Sequence, residues 1–508
     1  MTSSPSRRAV PLWLVFAYAL ILSAVALFFC SKSSFGYPIN DWADANIYFT
    51  IGKGMLRGEV VYRDLYDHKG PLLYALHALC ALVSPMSFTG VYLLETLCAA
   101  AFLTFAYRLL ALYGAGRAAF LALPVIALTV YTSLSFQQGD SAEELCLPLL
   151  AFSLYDLLDY FKRRHPAPMR AGRLMLNGLA FGCVFWIKFT MTGLHAGFLL
   201  SLFIAQAARG RWREAFRSVG WFTVGFVLSC LPWLAYFGLN GAVLPWLKTY
   251  LYDNLFLYSD GGGAAGVAGR IKEMAKSSLA WLGGNLRYTL VLVLGLGWGI
   301  CRGQAVKRER MAILLTSALC ALGVFVGGKS YPYYGLALAA FVPLGFAPLC
   351  LALSRPLNAL ASRRGLLPAT GALCCAACLA LCPALSPNVK ESFGLPRKET
   401  MQYQFAEVLE RYDRPTLLNY GFMDAGFYTA AGIVPSVKYF HQTNVPLQEM
   451  LDEQIRYIEE GVCDFVVTRG KQPASIDRLY ELIATADSPS GFWYEHVYLY
   501  RLKSLGAP

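Results

Sequence analysis

The sequence predicts a mainly α, polytopic membrane helical bundle with a small external C-terminal α/β domain. Three observations lead there. Apolar runs of bilayer-spanning length recur through residues 1–387, short basic clusters separate them, and residues 388–508 are polar with mixed strand and helix patterning. Only 15% of the 508 residues are charged while 56% are hydrophobic, whereas soluble domains carry about 25% charged residues. Side chains that face lipid or a helix bundle account for the missing charge.

The runs lie near 11–30, 90–112, 118–136, 143–161, 173–190, 192–208, 218–238, 281–301, 311–328, 333–353 and 365–384, which on length makes about eleven transmembrane helices. Arg7 and Arg8 ahead of Pro11–Cys30 resemble a signal peptide. The run is about 20 residues, however, enough to cross a bilayer, so it is read as an uncleaved first span. The stretch Pro71–Pro85 is too short to cross comfortably.

Charge decides how that stretch is treated. The formal net charge of +12 resides in connectors: Lys162–Arg173, Arg209–Arg217, Arg302–Arg310 and Arg355–Arg364. Cytoplasmic loops carry such clusters. All of them fall on the side of Arg7 and Arg8 only if 71–85 lies in the interface. The expected protein therefore sits multi-pass in the cytoplasmic (inner) membrane, with its N-terminus cytoplasmic and its C-terminal domain extracytoplasmic. No basic stripe with interleaved aromatics lies on a polar helix, which excludes nucleic acid as a partner.

The outward segments are 31–70, 137–142, 239–280, 328–332 and the region from about 385. Gly261–Gly269 lacks a following Lys-Ser/Thr and a preceding strand, so it is a flexible external loop and no phosphate loop. Within the last region, Pro415–Tyr420 and Asp464–Thr468 read as short buried strands, and Tyr494–Leu502 alternates like a third. Gln448–Glu460 reads as an amphipathic helix with Leu451, Ile455 and Ile458 on one face. Two domains follow: 1–387, carrying the external loop 31–70 and the interfacial helix 71–85, and 388–508.

Fourteen cysteines do not imply a metal or disulfide framework. Cys374, Cys375, Cys378 and Cys382 share one apolar run, where a thiol is a small hydrophobe. Cys463 stands alone in the polar region.

Chemistry concentrates in the first external loop: Asn40-Asp41-Trp42-Ala43-Asp44-Ala45-Asn46-Ile47-Tyr48, Gly52-Lys53-Gly54, and Tyr62-Arg63-Asp64-Leu65-Tyr66-Asp67-His68-Lys69-Gly70-Pro71. Carboxylates beside Lys and Arg at a membrane surface suit proton acceptance from a hydroxyl and the holding of a phosphate. They also suit a solvated loop whose charges pair among themselves.

These residues resemble the signature of polyprenyl-phosphate-sugar-dependent glycosyltransferases of the GT-C fold. That group includes protein mannosyltransferases and aminoarabinose transferases. The points of likeness are Asp44 ahead of Tyr48, the small-residue/Lys segment, and His68-Lys69-Gly70-Pro71-Leu72-Leu73-Tyr74 leading into a juxtamembrane helix. The pattern Tyr-Arg-Asp-x-x-Asp-His-Lys-Gly-Pro-Leu-x-Tyr is similar to one bacterial branch. The resemblance implies a GT-C-like bundle that transfers a sugar from a polyprenyl-phosphate donor to a hydroxyl acceptor (glycolipid, cell-surface polysaccharide or protein) at the outer face, with inversion. Asp44 would be the base and Asp41 its alternate. Lys69, with His68, Arg63 and Lys188, would hold the donor phosphate, and Tyr48 and Tyr66 the sugar or acceptor.

The same resemblance marks a second acidic motif, Gln137-Gln138-Gly139-Asp140-Ser141-Ala142-Glu143-Glu144. Glu143 is its first catalytic choice, with Glu144 an acceptor-binding candidate. Acids there also complement a helix dipole. No cofactor is required, although Asp44, Asp140 and Glu143 are the residues to hold a divalent metal (Mg or Mn) if one is used. Gly328-Lys329-Ser330-Tyr331-Pro332-Tyr333-Tyr334 resembles a family segment that carries His where Tyr333 stands; Lys329, Tyr333 and Tyr334 remain phosphate or sugar candidates. Trp246, Tyr250, Tyr252, Asn254 and Tyr258 serve equally as sugar platforms or interface anchors, and His195 reads as a satisfied helical histidine.

Two other classes stay open. A lipid-linked saccharide transporter or flippase would place ionisable residues mid-span. A polysaccharide ligase would centre on a later external loop rich in Arg and His, whereas 239–280 carries Arg270 and no His.

Overall fold

The computed structural model describes residues 10–258, 266–302, 307–329, 331–360, 366–470, 472–487 and 496–506. Arg7, Arg8, the Gly-rich segment 261–265 and the Arg270 side chain lie outside them. The chain packs as two compact units: residues 1–30, 95–231 and 264–387 form one, and 31–94, 232–263 and 388–508 the other. This cut differs from the expected boundary at 387. Residues 31–70 pack with the C-terminal segment, where the buried polar atoms of Thr50 and Lys53 find their partners.

The first unit is a helical bundle. Among the described residues, six helical stretches of the chain are long and apolar enough to cross a membrane, or seven counting the bent pair Ile271–Gly284 and Leu286–Cys301. The expected eleven is not reproduced on that measure. Gly116–Tyr131 has only 16 residues, and Ala142–Arg163 carries two acids in its first turn and two bases in its last. Ala171–Ala207 counts once but folds back on itself. Its breakpoint is the 3-10 turn Phe189–Thr192. Phe181 and His195 then face each other at 6.0 Å, whereas 14 residues of unbroken helix would part them by about 21 Å.

Small residues let these helices approach. Gly193 and Gly197 sit one helical turn apart, and a Cβ at either would meet backbone of the Lys307–Phe325 helix, at Leu319 and Thr316 respectively. That is the close crossing small-xxx-small spacing permits in a bilayer. His195 between them is buried, with Nε2 3.0 Å from Ser153 Oγ, as expected of a structural histidine.

The second unit joins two short helices, Ala43–Leu56 and Pro71–Val83, to a four-stranded sheet. Pro71–Val83 has 13 residues, about 20 Å of helix and too little to span. The strands are β1 (Leu417–Asn419), β2 (Phe465–Thr468), β3 (Tyr480–Asp487) and β4 (His496–Leu502), in the order β1-β2-β4-β3. β1 and β2 are parallel and the other pairs antiparallel. The first two strands are buried at every position. The helix Gln448–Glu459 links them as anticipated, but its buried face is Met450, Gln454, Tyr457 and Ile458, with Leu451 and Ile455 half-buried. Gln454 turns inward because its amide donates to the carbonyls of Tyr439 and Asn419.

Candidate active site

Asp44 lies in the first turn of Ala43–Leu56 and Lys69 two residues before Pro71–Val83. The two helices pack closely because Gly52 has no side chain: a Cβ there would stand 2.6 Å from the Ala78 nitrogen. That contact brings Lys69 Nζ to 3.8 Å from Asp44 Oδ2. The Tyr48 hydroxyl donates to the same Oδ2 at 3.1 Å, and its ring lies 5.7 Å from the Lys69 ammonium. Tyr48 is 1% exposed, so it orients Asp44 from within rather than offering a face to a sugar.

Two further tyrosines fix the Lys69 backbone. Tyr74 Oη accepts the Lys69 N–H at 3.0 Å and donates to Asp67 Oδ2 at 2.6 Å. Tyr62 donates to the Lys69 carbonyl at 2.6 Å. Tyr62 holds φ at +72°, a left-handed conformation unusual for a bulky residue and costing about 1–3 kcal/mol. The strain marks how firmly its surroundings specify this turn.

Asp67 and His68 are buried beside them, with His68 Nδ1 3.2 Å from Asp67 Oδ1 and Nε2 3.5 Å from Lys69 Nζ. Burial alone would raise the Asp67 carboxyl, but His68 and Lys69 outweigh it and hold it well below the usual carboxylate range. Burial, reinforced by the Lys69 charge, pushes the His68 imidazole down. The His68 ring packs on Tyr258 at 5.0 Å, and its carbonyl accepts from Asn254. Tyr66 is buried and donates to Asp253 at 3.0 Å. The aromatic segment 246–258 thus supports residues 66–68 from behind.

Two candidates in this loop are engaged elsewhere. Asp41 is paired with buried Lys32 at 2.8 Å, and Lys32 also reaches Glu391 at 2.9 Å. Asp44, not Asp41, therefore faces Lys69. Arg63 is exposed and spends its guanidinium on Asp64 and the Asn240 carbonyl, an engagement that explains its place without a phosphate.

Residues 424–440 of the C-terminal segment grip the helix that carries Asp44. Thr50 donates to Asp424 at 2.7 Å, and Lys53 donates to the carbonyls of Tyr428 at 2.9 Å and Ile433 at 3.3 Å. Burial pushes the Lys53 ammonium down to about 7, with Asp424 opposing. The Tyr66 N–H donates to the Lys438 carbonyl. Asp67, Asp424, Tyr74 and Tyr62 did not stand out in the sequence as site residues. The Tyr-Arg-Asp-x-x-Asp-His-Lys-Gly-Pro-Leu-x-Tyr spacing held the signal for three of them.

The second acidic motif lies in the helical bundle. Glu143, fully buried, pairs with Lys188 at 2.5 Å. Lys188 Nζ also stands 3.9 Å above the Tyr334 ring and 5.4 Å from that of Tyr333. Four predicted members, Glu143, Lys188, Tyr333 and Tyr334, are thus together. Glu144 and Glu95 both accept from the Asp140 N–H, at 3.0 and 2.8 Å, with Asp140 in the left-handed region at φ +59°. Lys329 is half-buried beside left-handed Gly328.

Among the described residues no group of three or more His, Cys, Asp or Glu is arranged to hold a metal ion. Tyr48 and Lys69 contact Asp44, and Lys188 pairs with Glu143.

No protein-family model matches the sequence, and no curated protein does. Among solved structures, the chain is similar to ArnT from Cupriavidus metallidurans bound to undecaprenyl phosphate. The TM-score is 0.62 at 13% identity, over 98% of this chain and 99% of that one. The apo state of the same protein matches with a TM-score of 0.59 at 13% identity, over 98% of each. The chain shares its fold with these structures, in keeping with the fold that the loop motif implied.

Proposed function

We propose that the protein is a membrane glycosyltransferase that moves a sugar from a polyprenyl-phosphate donor to a hydroxyl acceptor at the outer face of the membrane, in one inverting displacement. The observation that carries this reading is the Asp44–Lys69 pair, a carboxylate and an ammonium 3.8 Å apart on rigid helix ends. The fold shared with ArnT, a protein crystallised with undecaprenyl phosphate, supports a lipid carrier as donor.

In the reaction, the acceptor oxygen bonds to the anomeric carbon as its proton passes to an Asp44 oxygen. The bond from the anomeric carbon to the phosphate oxygen breaks on the opposite face. Polyprenyl phosphate leaves with the bonding pair, and the Lys69 ammonium stabilises the charge gathering there. Tyr48 keeps Asp44 aimed, while Tyr74 and Tyr62 keep Lys69 from drifting. Acceptors consistent with this chemistry are a glycolipid, a cell-surface polysaccharide or a protein hydroxyl.

The test is incubation of purified protein with polyprenyl-phosphate sugars and a panel of acceptors. Transfer by wild type, with loss in Asp44→Asn and Lys69→Ala, is the expected result. Undiminished transfer by Asp44→Asn removes the base assignment. Movement of the donor across vesicles without product would instead identify a flippase.

A further inference from the structure

A second site lies at the far end of the hairpin that carries Glu143 and Lys188. The helices Ala142–Arg163 and Ala171–Lys188 run antiparallel: Lys188 meets Glu143 at one end, and Arg173 meets Asp156 and Asp159 at the other. The 22-residue helix is about 33 Å long, and Glu143 and Asp159 on it are about 24 Å apart, most of the thickness of the hydrocarbon core. In the connector a cavity of about 410 Å³ is lined by Arg164, Arg170 and Arg173 with Ala167, Pro168 and Met169.

The charge there does not balance. Residues 163–173 bring four arginines to two buried carboxylates, Asp156 and Asp159. Arg163 and Arg164 reach Asp159 only at 3.5 Å, and Arg173 is shared between both acids. Arg170 and Arg164 are exposed. More cations press in from the next connectors. Arg211 donates to the Pro166 carbonyl at 2.8 Å. Burial and the charges of Arg308, Arg209 and Arg211 push His165 down to about 4. The cavity is thus a concave, three-arginine receptor carrying surplus positive charge, set where an apolar helix pair ends.

We propose that this cavity binds the phosphodiester headgroup of an anionic phospholipid in the leaflet opposite the Glu143–Lys188 end. Arginine forks match phosphate oxygens, the volume lies within the range of small-ligand sites, and basic pockets between helices at the membrane edge recognise such headgroups. Acyl chains would follow the apolar helix surfaces back into the bilayer.

The experiment is native mass spectrometry of the delipidated full-length protein titrated with phosphatidylglycerol, phosphatidylcholine or inorganic phosphate. Phosphatidylglycerol should bind stoichiometrically and weaken with salt, while phosphatidylcholine binds at least about tenfold more weakly. Arg164→Gln and Arg170→Gln should each cost about fivefold in phosphatidylglycerol affinity, the effect of one cation near an anionic surface. Unchanged unfolding midpoints in lipid-free detergent would show that both variants remain folded. Equal binding of both lipids, no loss in the variants, or inorganic phosphate displacing the lipid at equal concentration would each overturn the proposal. Should a variant fail to fold, the lipid preference and salt dependence of the wild type decide alone.

Discussion

Lys69 and Asp44 stand 3.8 Å apart, yet 25 residues separate them in sequence, and neither is placed by its immediate neighbours. The Lys69 backbone hangs between the phenols of Tyr74 and Tyr62, while the Asp44 carboxylate is steered by Tyr48. Three buried tyrosines therefore set the geometry of the proposed base and the proposed phosphate ligand, and the expected behaviour of variants follows from who holds whom.

Asp44→Asn should lower transfer by about 10²–10⁴-fold, the usual worth of a positioned base. Lys69→Ala should cost about 10²–10³-fold through lost stabilisation of the leaving phosphate. Single-turnover rates with a polyprenyl-phosphate sugar measure both, and Lys69→Arg should recover part of the loss because it keeps the charge.

Tyr48→Phe removes one hydrogen bond and little else. The effect should fall on kcat, about five- to tenfold, with KM for donor unchanged and stability down by about 1 kcal/mol. A rise in KM with kcat intact would mean that Tyr48 binds substrate instead.

Gly52→Ala places a methyl group against the backbone of His77 and Ala78. Overpacking against backbone should destabilise by about 1–3 kcal/mol and separate Asp44 from Lys69. Thermal unfolding in detergent and transfer rate should both fall, whereas Gly58→Ala, with open space around it but φ +95°, should affect stability alone.

Lys53 gives a pH signature. Its ammonium titrates at about 7 in the fold against 10.5 for a free side chain. Between those values the unfolded chain binds the extra proton, so stability should rise with pH from 7 towards 10.5 and be flat below 7. The unfolding midpoint of wild type should climb between pH 7 and 9.5, and that climb should vanish in Lys53→Met.

The helical bundle was legible because spanning length and basic connectors are composition-level signals. The Lys188–Glu143 pairing was partly legible too, as lone charges at helix ends. The strand Tyr480–Asp487 was not: its residues are largely half-buried or exposed, and no alternation distinguishes it from a loop. The helix face at 448–459 was misjudged by one position because a glutamine, Gln454, points inward to satisfy two carbonyls. Within the site, Asp44 and Lys69 were visible through their motif, whereas the burial of Tyr48 and Tyr66 was not. Aromatic residues in an external loop look like platforms until their hydroxyls are seen bonded to Asp44 and Asp253. The grip of Asp424, Tyr428 and Ile433 on Thr50 and Lys53 spans more than 370 residues of sequence, beyond the reach of any local pattern.

That same grip has a temporal meaning. Thr50 and Lys53 emerge from the ribosome long before their partners exist, and until then their polar atoms have only water or headgroups to bond. The helix bearing Asp44 cannot settle against these supports until residues 424–433 have been made. A nascent chain would therefore carry the proposed base unaligned until that segment follows it.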